Sequence, residues 1–254
     1  MAPMMPPIVF INLEKDAQRR ARVEAEFARL QLPGQRLPAV WWKQLPAAEQ
    51  AQLYSAELNR HQYYKPLVDG EKGCYASHIA AWRQLLASEA PAMVVLEDDV
   101  VLDERFAEAV QAIVALEAAH GTGWDMVKLM GRAQGEKLRA QRPLTTALAL
   151  IEYRRVPSFT AGYVVSREGA RKLLTSRVPF GRPIDIDLRF WWENDLRILG
   201  VQPPVVRLDV TSEDSSIAGR QPPAGWRTRW RKLAMKLRLT WGNARYLRAQ
   251  KSGR

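Results

Sequence analysis

The sequence predicts an α/β protein: a three-layer α/β/α sandwich with helices on both faces of a mixed, mostly parallel sheet. Three observations carry the prediction. Short apolar runs of strand type alternate, through most of the chain, with longer charged segments whose apolar residues recur every three or four positions. Glycine and proline punctuate the boundaries, as at Pro33–Gly34 and Pro91. The 254 residues, 47% of them hydrophobic, are enough for one large α/β domain or two small ones, with a full core.

Residues 8–12, IVFIN, read as the first strand, and the segment 15–30 places Val23, Phe27 and Leu30 at helical spacing. This β-α opening leaves Asn12 where a strand gives way to a loop, the position at which open α/β sheets bind ligands. A plain turn-capping role for Asn12 is the alternative. A second strand is expected at 36–40, RLPAV, followed by short helices and loops around Trp41, Trp42, Tyr54, Tyr63 and Tyr64. In GEKGCYASHIAAWRQLL, Gly70 and Gly73 permit tight turns, and Ser77 is expected to cap a helix that turns Ile79, Trp82, Leu85 and Leu86 inward. Exposed amides at such a helix start favour anions, which would set Ser77 and His78 beside a phosphate. The competing role for His78 is that of a hydrogen-bonded structural histidine.

Pro91 introduces VVLEDDV (94–100), in which three strand-type residues run into Glu97, Asp98 and Asp99. Crowded carboxylates at a strand end repel one another unless solvent, a basic partner or a divalent cation is close. A solvated turn and a metal site both satisfy that condition. Further along, Phe106, Val110, Ile113 and Val114 mark a helix closed by His120 and Gly121. Strands are expected near 124–130, 144–153 and in FTAGYVVS, where Ser166 caps the next helix. In PIDIDL, Asp185 and Asp187 fall in the first turn of a helix beginning at Pro183, where the helix dipole alone justifies acids. The downstream Trp192, Glu193, Asn194 and Asp195 suit either a sugar or core packing.

The net charge of +11 resides entirely in the tail. No acid follows Asp214, the last 40 positions hold 11 Lys and Arg, and the rest of the chain is neutral. A body spanning 1–219 and a basic tail spanning 220–254 are therefore expected. The lone Cys74 and the absence of a basic n-region or continuous apolar h-region near the start suggest a reducing, cytoplasmic setting. No stretch approaches the roughly 18–20 apolar residues of a spanning helix. There is no P-loop, no GxGxxG, no GxSxG and no zinc spacing of Cys and His, so carboxylate ligands for Mg2+ or Mn2+ are favoured over soft-metal or thiol chemistry. Two acidic clusters in an α/β fold suit a nucleotide-sugar transferase, which must offset the charge of a departing diphosphate and deprotonate an acceptor hydroxyl.

Six pieces in order, FINLEKDAQRR, GEKGCYASHIAAW, VVLEDDV, FTAGYVVSREGARKLL, PIDIDL and the late PPVV with SSI, resemble glycosyltransferase family 25, the lipooligosaccharide and collagen galactosyltransferase relatives. The resemblance implies a GT-A-type, Rossmann-like fold and inverting transfer from a UDP-sugar, most often UDP-galactose. It also implies Mn2+, with Mg2+ as a substitute, and a glycan acceptor. Position by position, it assigns Glu97 and Asp99 to metal and diphosphate and Asp98 to the ribose side. Asn12, Arg19, Ser77 and His78 go to the donor pocket. Asp185 and Asp187 supply the general base, with the other acid orienting the sugar or reaching the metal.

In the tail, Trp226, Trp230, Leu233, Leu237 and Trp241 recur at intervals of three and four among Arg and Lys. Such a basic amphipathic helix fits an anionic membrane surface better than nucleic acid, because phosphate binding needs charge but no apolar stripe. A peripheral enzyme on the inner face of the cytoplasmic membrane, acting on a lipid-linked lipopolysaccharide or lipooligosaccharide acceptor and binding no specific nucleic acid, is the combined expectation. A non-catalytic membrane- or nucleic-acid-binding protein is the alternative.

Overall fold

The computed structural model of the chain describes residues 5–120, 123–132, 135–209 and 225–252. Strand β1 (Ile8–Asn12) is buried along its whole length, as a continuous apolar run must be when helices cover both sheet faces. Helix α1 (Ala17–Arg29) buries Val23 and Phe27, and β2 (Gly34–Pro38) returns parallel to β1. A Cβ on Gly34 would overlap the Phe27 ring, so this glycine permits the helix to close on the strand. A 3-10 turn (Trp42–Gln44) and two short helices, α2 (Ala47–Leu53) and α3 (Ala56–Gln62), form the aromatic region. The long helix α4 (Asp69–Ala87) then crosses back to β3 (Ala92–Glu97), which pairs parallel with the other side of β1. The chain thus leaves β1 to one side and returns on the other. Such a reversal opens a crevice at the carboxyl ends of the two strands, where α/β sheets bind ligands.

Strand β4 (Val100–Leu102), α5 (Phe106–His120), β5 (Met126–Lys128), β6 (Leu138–Pro143), β7 (Ala149–Tyr153) and β8 (Gly162–Ser166) follow. Ser166 caps α6 (Arg167–Arg177) as expected, its side chain accepting from the Gly169 amide at 3.0 Å. A single turn, α7 (Ile184–Asp187), continues into a 3-10 segment (Leu188–Glu193) that is broken at Phe190. Strand β9 (Ile198–Gln202) completes the main sheet, and β10 (Val206–Leu208) pairs antiparallel with β4.

The sheet order is β2-β1-β3-β8-β5-β9-β7-β6, so the expected α/β sandwich around a mixed sheet is present. Parallel pairs join β2-β1-β3 and β5-β9, and the other four pairs are antiparallel, so the sheet is mixed but not mostly parallel as expected. Alternation along the strands divides the core in two. Val9, Ile11, Met93 and Val95 face the layer of α4 and α6, whereas Ile8, Phe10, Val94 and Leu96 face that of α1 and α5.

The basic tail forms one long helix, α8 (Trp226–Ser252), laid against the 3-10 segment after α7. Leu239 is buried in the core, the Trp191 indole donates to Asn243 Oδ1 at 3.1 Å, and a Cβ on Gly242 would overlap the Trp192 ring. Arg231 donates to the carbonyls of Arg60 and Tyr63, at 2.6 and 2.7 Å. With this side seated on the body, Trp226, Trp230, Leu233, Leu237 and Trp241 remain 44–67% exposed. No helix among the described residues is long and apolar enough to cross a membrane. The expected helix closure at Gly121 and the SSI motif (215–217) lie outside the described residues.

Candidate active site at the carboxyl ends of β1 and β3

The crevice between β1 and β3 is a cavity of about 460 Å3 bounded by the carboxyl end of β1, one face of α4, the Trp41–Trp42 turn and the acids after β3. Of the nine residues singled out in the sequence, Arg19, Ser77, His78, Glu97, Asp98 and Asp99 line it; Asn12, Asp185 and Asp187 do not. The three consecutive acids have three different environments. Asp98 is engaged: Oδ2 accepts from Asn12 Nδ2 at 2.7 Å and Oδ1 from Arg19 at 3.2 Å. Burial nevertheless holds its carboxyl above the usual range, even though Asn12 and Arg19 favour the charged form. Glu97 accepts from Thr160 Oγ1 at 2.7 Å and stands 3.5 Å from His78 Nε2. Burial alone would raise Glu97, but His78 and Thr160 outweigh it and hold the carboxyl below its ordinary value. Asp99 has a buried Oδ1 without a partner among the described residues. Burial, with the charges of Glu97 and Asp98, pushes its carboxyl up to about 6.

Asp99 fits a hard divalent ion, because its Oδ1 is without a partner among the described residues and the charges of Glu97 and Asp98 raise its carboxyl; Glu97, which stays ionised beside His78 and Thr160, would be the second ligand. Asp98 does not fit as a ligand, since both of its oxygens are taken.

Several expectations are corrected. Ser77 caps nothing: α4 begins at Asp69, where Glu71 accepts from the Val68 amide at 2.9 Å, and Ser77 lies in its third turn. Its hydroxyl donates to the Gly73 carbonyl at 2.7 Å and accepts from the Val40 amide at 2.8 Å. Gly73 is likewise no turn glycine; a Cβ there would press on the Val40 carbonyl, so it admits the chain between β2 and the Trp42 turn. The exposed amides proposed beside Ser77 and His78 are therefore spent inside a helix. Asn12 is buried, holding Asp98, the Asp16 carbonyl and the Arg36 guanidinium, and it does not line the cavity. His78 is also buried, with Nδ1 2.8 Å from the Tyr163 hydroxyl. Its unpartnered Nε2 points toward Glu97. Although the sequence spacing shows no soft-metal set, the fold gathers Cys74, His78 and Glu97 with ligand atoms within 4.8 Å of one another.

Asp185 and Asp187 prove unlike. Asp187, 3% exposed, accepts from Tyr75 at 2.6 Å and pairs with Arg182 at 2.7 Å and Arg177 at 3.4 Å. It is the buried anchor of an ion network that continues through Glu193 to Arg238 of α8. The same network uses Glu193, and core packing takes Trp191 and Trp192, so the aromatic-polar run after PIDIDL is structural. Asp185 is half-buried, and burial raises its carboxyl, with Lys128, Glu71 and Glu97 close enough to act on its charge.

Lys128 went unrecognised in the sequence. It is 1% exposed, burial brings its ammonium down to about 7, and Asp185 and Glu97 pull the other way. A lysine inside the apolar run DMVKLM was the signal. Thr160, Tyr163 and Tyr75, which hold Glu97, His78 and Asp187, carried no local signal.

A mixed α/β sheet with a carboxylate-lined crevice at its switch point defines a ligand-binding α/β protein. The family model for glycosyltransferase family 25 (LPS biosynthesis protein) matches residues 5–188. Similar curated proteins include procollagen galactosyltransferase 1-B of Xenopus laevis, 29% identical over 185 residues, and procollagen galactosyltransferase 2 of Homo sapiens, 27% identical over 183. Another is a probable inactive glycosyltransferase 25 family member 3 of Rattus norvegicus, 27% identical over 186. Each alignment covers 71% of this chain but only 30%, 29% and 31% of the respective relative, so the chain matches less than a third of their length. The chain belongs to glycosyltransferase family 25.

Proposed function

We propose that the protein transfers a hexose, galactose in the first instance, from a UDP-sugar to a saccharide hydroxyl with inversion. The carrying observation is the acid run Glu97–Asp99 in the switch-point cavity, where Asp99 keeps a buried oxygen without a partner among the described residues. Its volume of about 460 Å3 lies in the range of small-molecule sites. Family membership supports sugar transfer, and the names of the Xenopus and human relatives support galactose.

A divalent ion, Mn2+ or Mg2+, held by Glu97 and Asp99 would offset charge on the departing diphosphate. Asp98, steered by Asn12 and Arg19, faces the ribose side, and the exposed Trp41 at the rim offers an aromatic surface to the base. Asp185 is the better base, because its carboxyl is not consumed by guanidinium partners and its raised affinity for a proton suits proton abstraction. The acceptor oxygen attacks the anomeric carbon as its proton passes to Asp185; the bond from that carbon to the diphosphate breaks, and UDP leaves with the electron pair.

The outward stripe of α8 supports residence on an anionic membrane surface, since its Trp and Leu residues are exposed among basic neighbours while the opposite side is seated on the body. Indole rings settle at the headgroup level, and each basic side chain near such a surface adds about 1 kcal/mol. A lipid-linked oligosaccharide of the lipopolysaccharide or lipooligosaccharide kind, met at the cytoplasmic leaflet, suits that placement. The test is a panel of UDP-sugars with Mn2+, monitored for hydrolysis and thermal shift. UDP-galactose should be hydrolysed and should stabilise the protein only with the ion present. Full activity in EDTA, or no shift with any UDP-sugar, refutes the proposal.

A further inference from the structure

A second and larger cavity, about 1110 Å3, opens between the β6–β7 hairpin, the 3-10 segment after α7 and the end of α8. Seven cationic side chains line it against two carboxylates. Arg132 pairs with Glu136 at 3.5 Å and Arg139 with Glu152 at 3.8 Å. Lys137, Arg154, Arg155 and Arg189 form no ion pair among the described residues. The walls are nevertheless built. Arg155 donates to Thr240 Oγ1 at 3.0 Å and Asn243 to the Arg154 carbonyl at 2.6 Å, tying the hairpin to α8. Arg189 has a buried Nε without a hydrogen-bond partner, and Arg155 and Arg132 are near enough for their charges to act on it.

Like charges held in a concave site focus an attractive field for anions and leave an unmet demand for one. The placement matters as much as the charge. Arg189 lies four residues beyond Asp185 on the same segment, and the two side chains interact electrostatically. Leu138, Val156 and Leu247 add apolar surface to the same lining, as small-molecule sites require. The α8 wall lies beyond residues 5–188, the part of the chain that matches the family.

We propose that this cavity is the subsite for an anionic saccharide acceptor. A phosphate or carboxylate on the sugar would seat against Arg154, Arg155 and Arg189, the last on the segment that carries Asp185; that the bound sugar is the acceptor rests on the assignment of Asp185 as the base. The shared chemistry is an anion on a sugar. Lipid headgroups and free phosphate are the rival sources of that anion.

Calorimetry on the full chain with trehalose 6-phosphate, trehalose and inorganic phosphate as probes tests the proposal. The phosphosugar should bind at least about tenfold more tightly than either other probe, the size of one charge-assisted contact set. The double variant Arg154→Glu with Arg155→Glu, at two exposed positions, should abolish the preference while leaving UDP binding intact. Arg189→Gln should weaken it in part. Should the charge-reversed protein fail to fold, Arg154→Gln with Arg155→Gln replaces it. Equal binding of trehalose and its phosphate overturns the proposal, as does a preference that survives the double variant or disappears instead with Arg19→Gln. Phosphate binding as tightly as the phosphosugar likewise overturns it. Loss of binding to phosphatidylglycerol vesicles in step with loss of phosphosugar binding assigns the cavity to headgroups and also overturns it. Because UDP binding is read separately, failure of the donor site and failure of this subsite give different results.

Discussion

Exchanging Asp187 and Asp185 one at a time for asparagine separates a structural acid from a reacting one. Asp187→Asn keeps the shape but removes the charge that Arg182 and Arg177 share, leaving two buried guanidiniums with Glu193 as their remaining carboxylate. Breaking one partner of a buried ion network costs about 3–5 kcal/mol. In a domain of this size each kcal/mol lowers the melting temperature by roughly 2–4 °C, so a fall of roughly 6–20 °C is expected. Turnover of the protein that stays folded should be nearly unchanged. Asp185→Asn should do the reverse. Its carboxyl is disfavoured by burial, so neutralising it leaves stability intact or improved. Transfer should drop by about 10²–10⁴, the usual share of a general base. Differential scanning fluorimetry beside single-turnover transfer reads both. A melting temperature within about 2 °C of wild type for Asp187→Asn, combined with a hundredfold loss of turnover, would refute the assignment.

Three further outcomes follow from the same geometry. Asp99 in the ion-free protein holds its proton up to about 6, against an ordinary 3.8, so its contribution to stability is fully present below about pH 4 and is lost as pH rises through 6. Asp99→Asn should therefore melt several degrees above wild type near pH 8 and equal it in acid; Mn2+ should raise the wild-type melting point and not the variant's. Gly242→Ala would drive a methyl group into Trp192, so α8 should loosen at a cost of about 1–3 kcal/mol, seen as faster amide exchange across its seated face. Trp230→Ser with Leu237→Ser, at positions 64% and 61% exposed, should leave stability within about 0.5 kcal/mol. Partitioning onto phosphatidylglycerol vesicles should fall by at least about tenfold; unchanged flotation with the vesicles would remove the membrane role.

Sequence by itself determined the architecture and the neighbourhood of the site. Alternation of apolar runs with helical spacing is local, and so it placed β1, α1, β3, α5, β8 and the cap of α6. The acids of VVLEDDV were legible because three carboxylates at a strand end need an explanation wherever the strand lies. The regular Trp and Leu stripe of α8 was legible for the same reason, since a helix carries its pattern with it.

What only the tertiary structure decided was which atoms are already engaged. Asp185 and Asp187 are two residues apart in one motif. They differ because Tyr75 and the arginines at 177 and 182 converge on one of them from elsewhere in the chain. Asp98 and Asp99 differ because Asn12 and Arg19 reach the first and leave the second with a buried, unpartnered oxygen. Ser77 looked like a cap because Gly70 and Gly73 looked like turns, and only the close approach of Val40 explains a glycine within a helix there. The basic cavity joins residues more than 100 positions apart, from Arg132 to Arg248. Periodicity reports what a segment needs, whereas hydrogen bonds, burial and charge pairing depend on distances through space that no local pattern encodes.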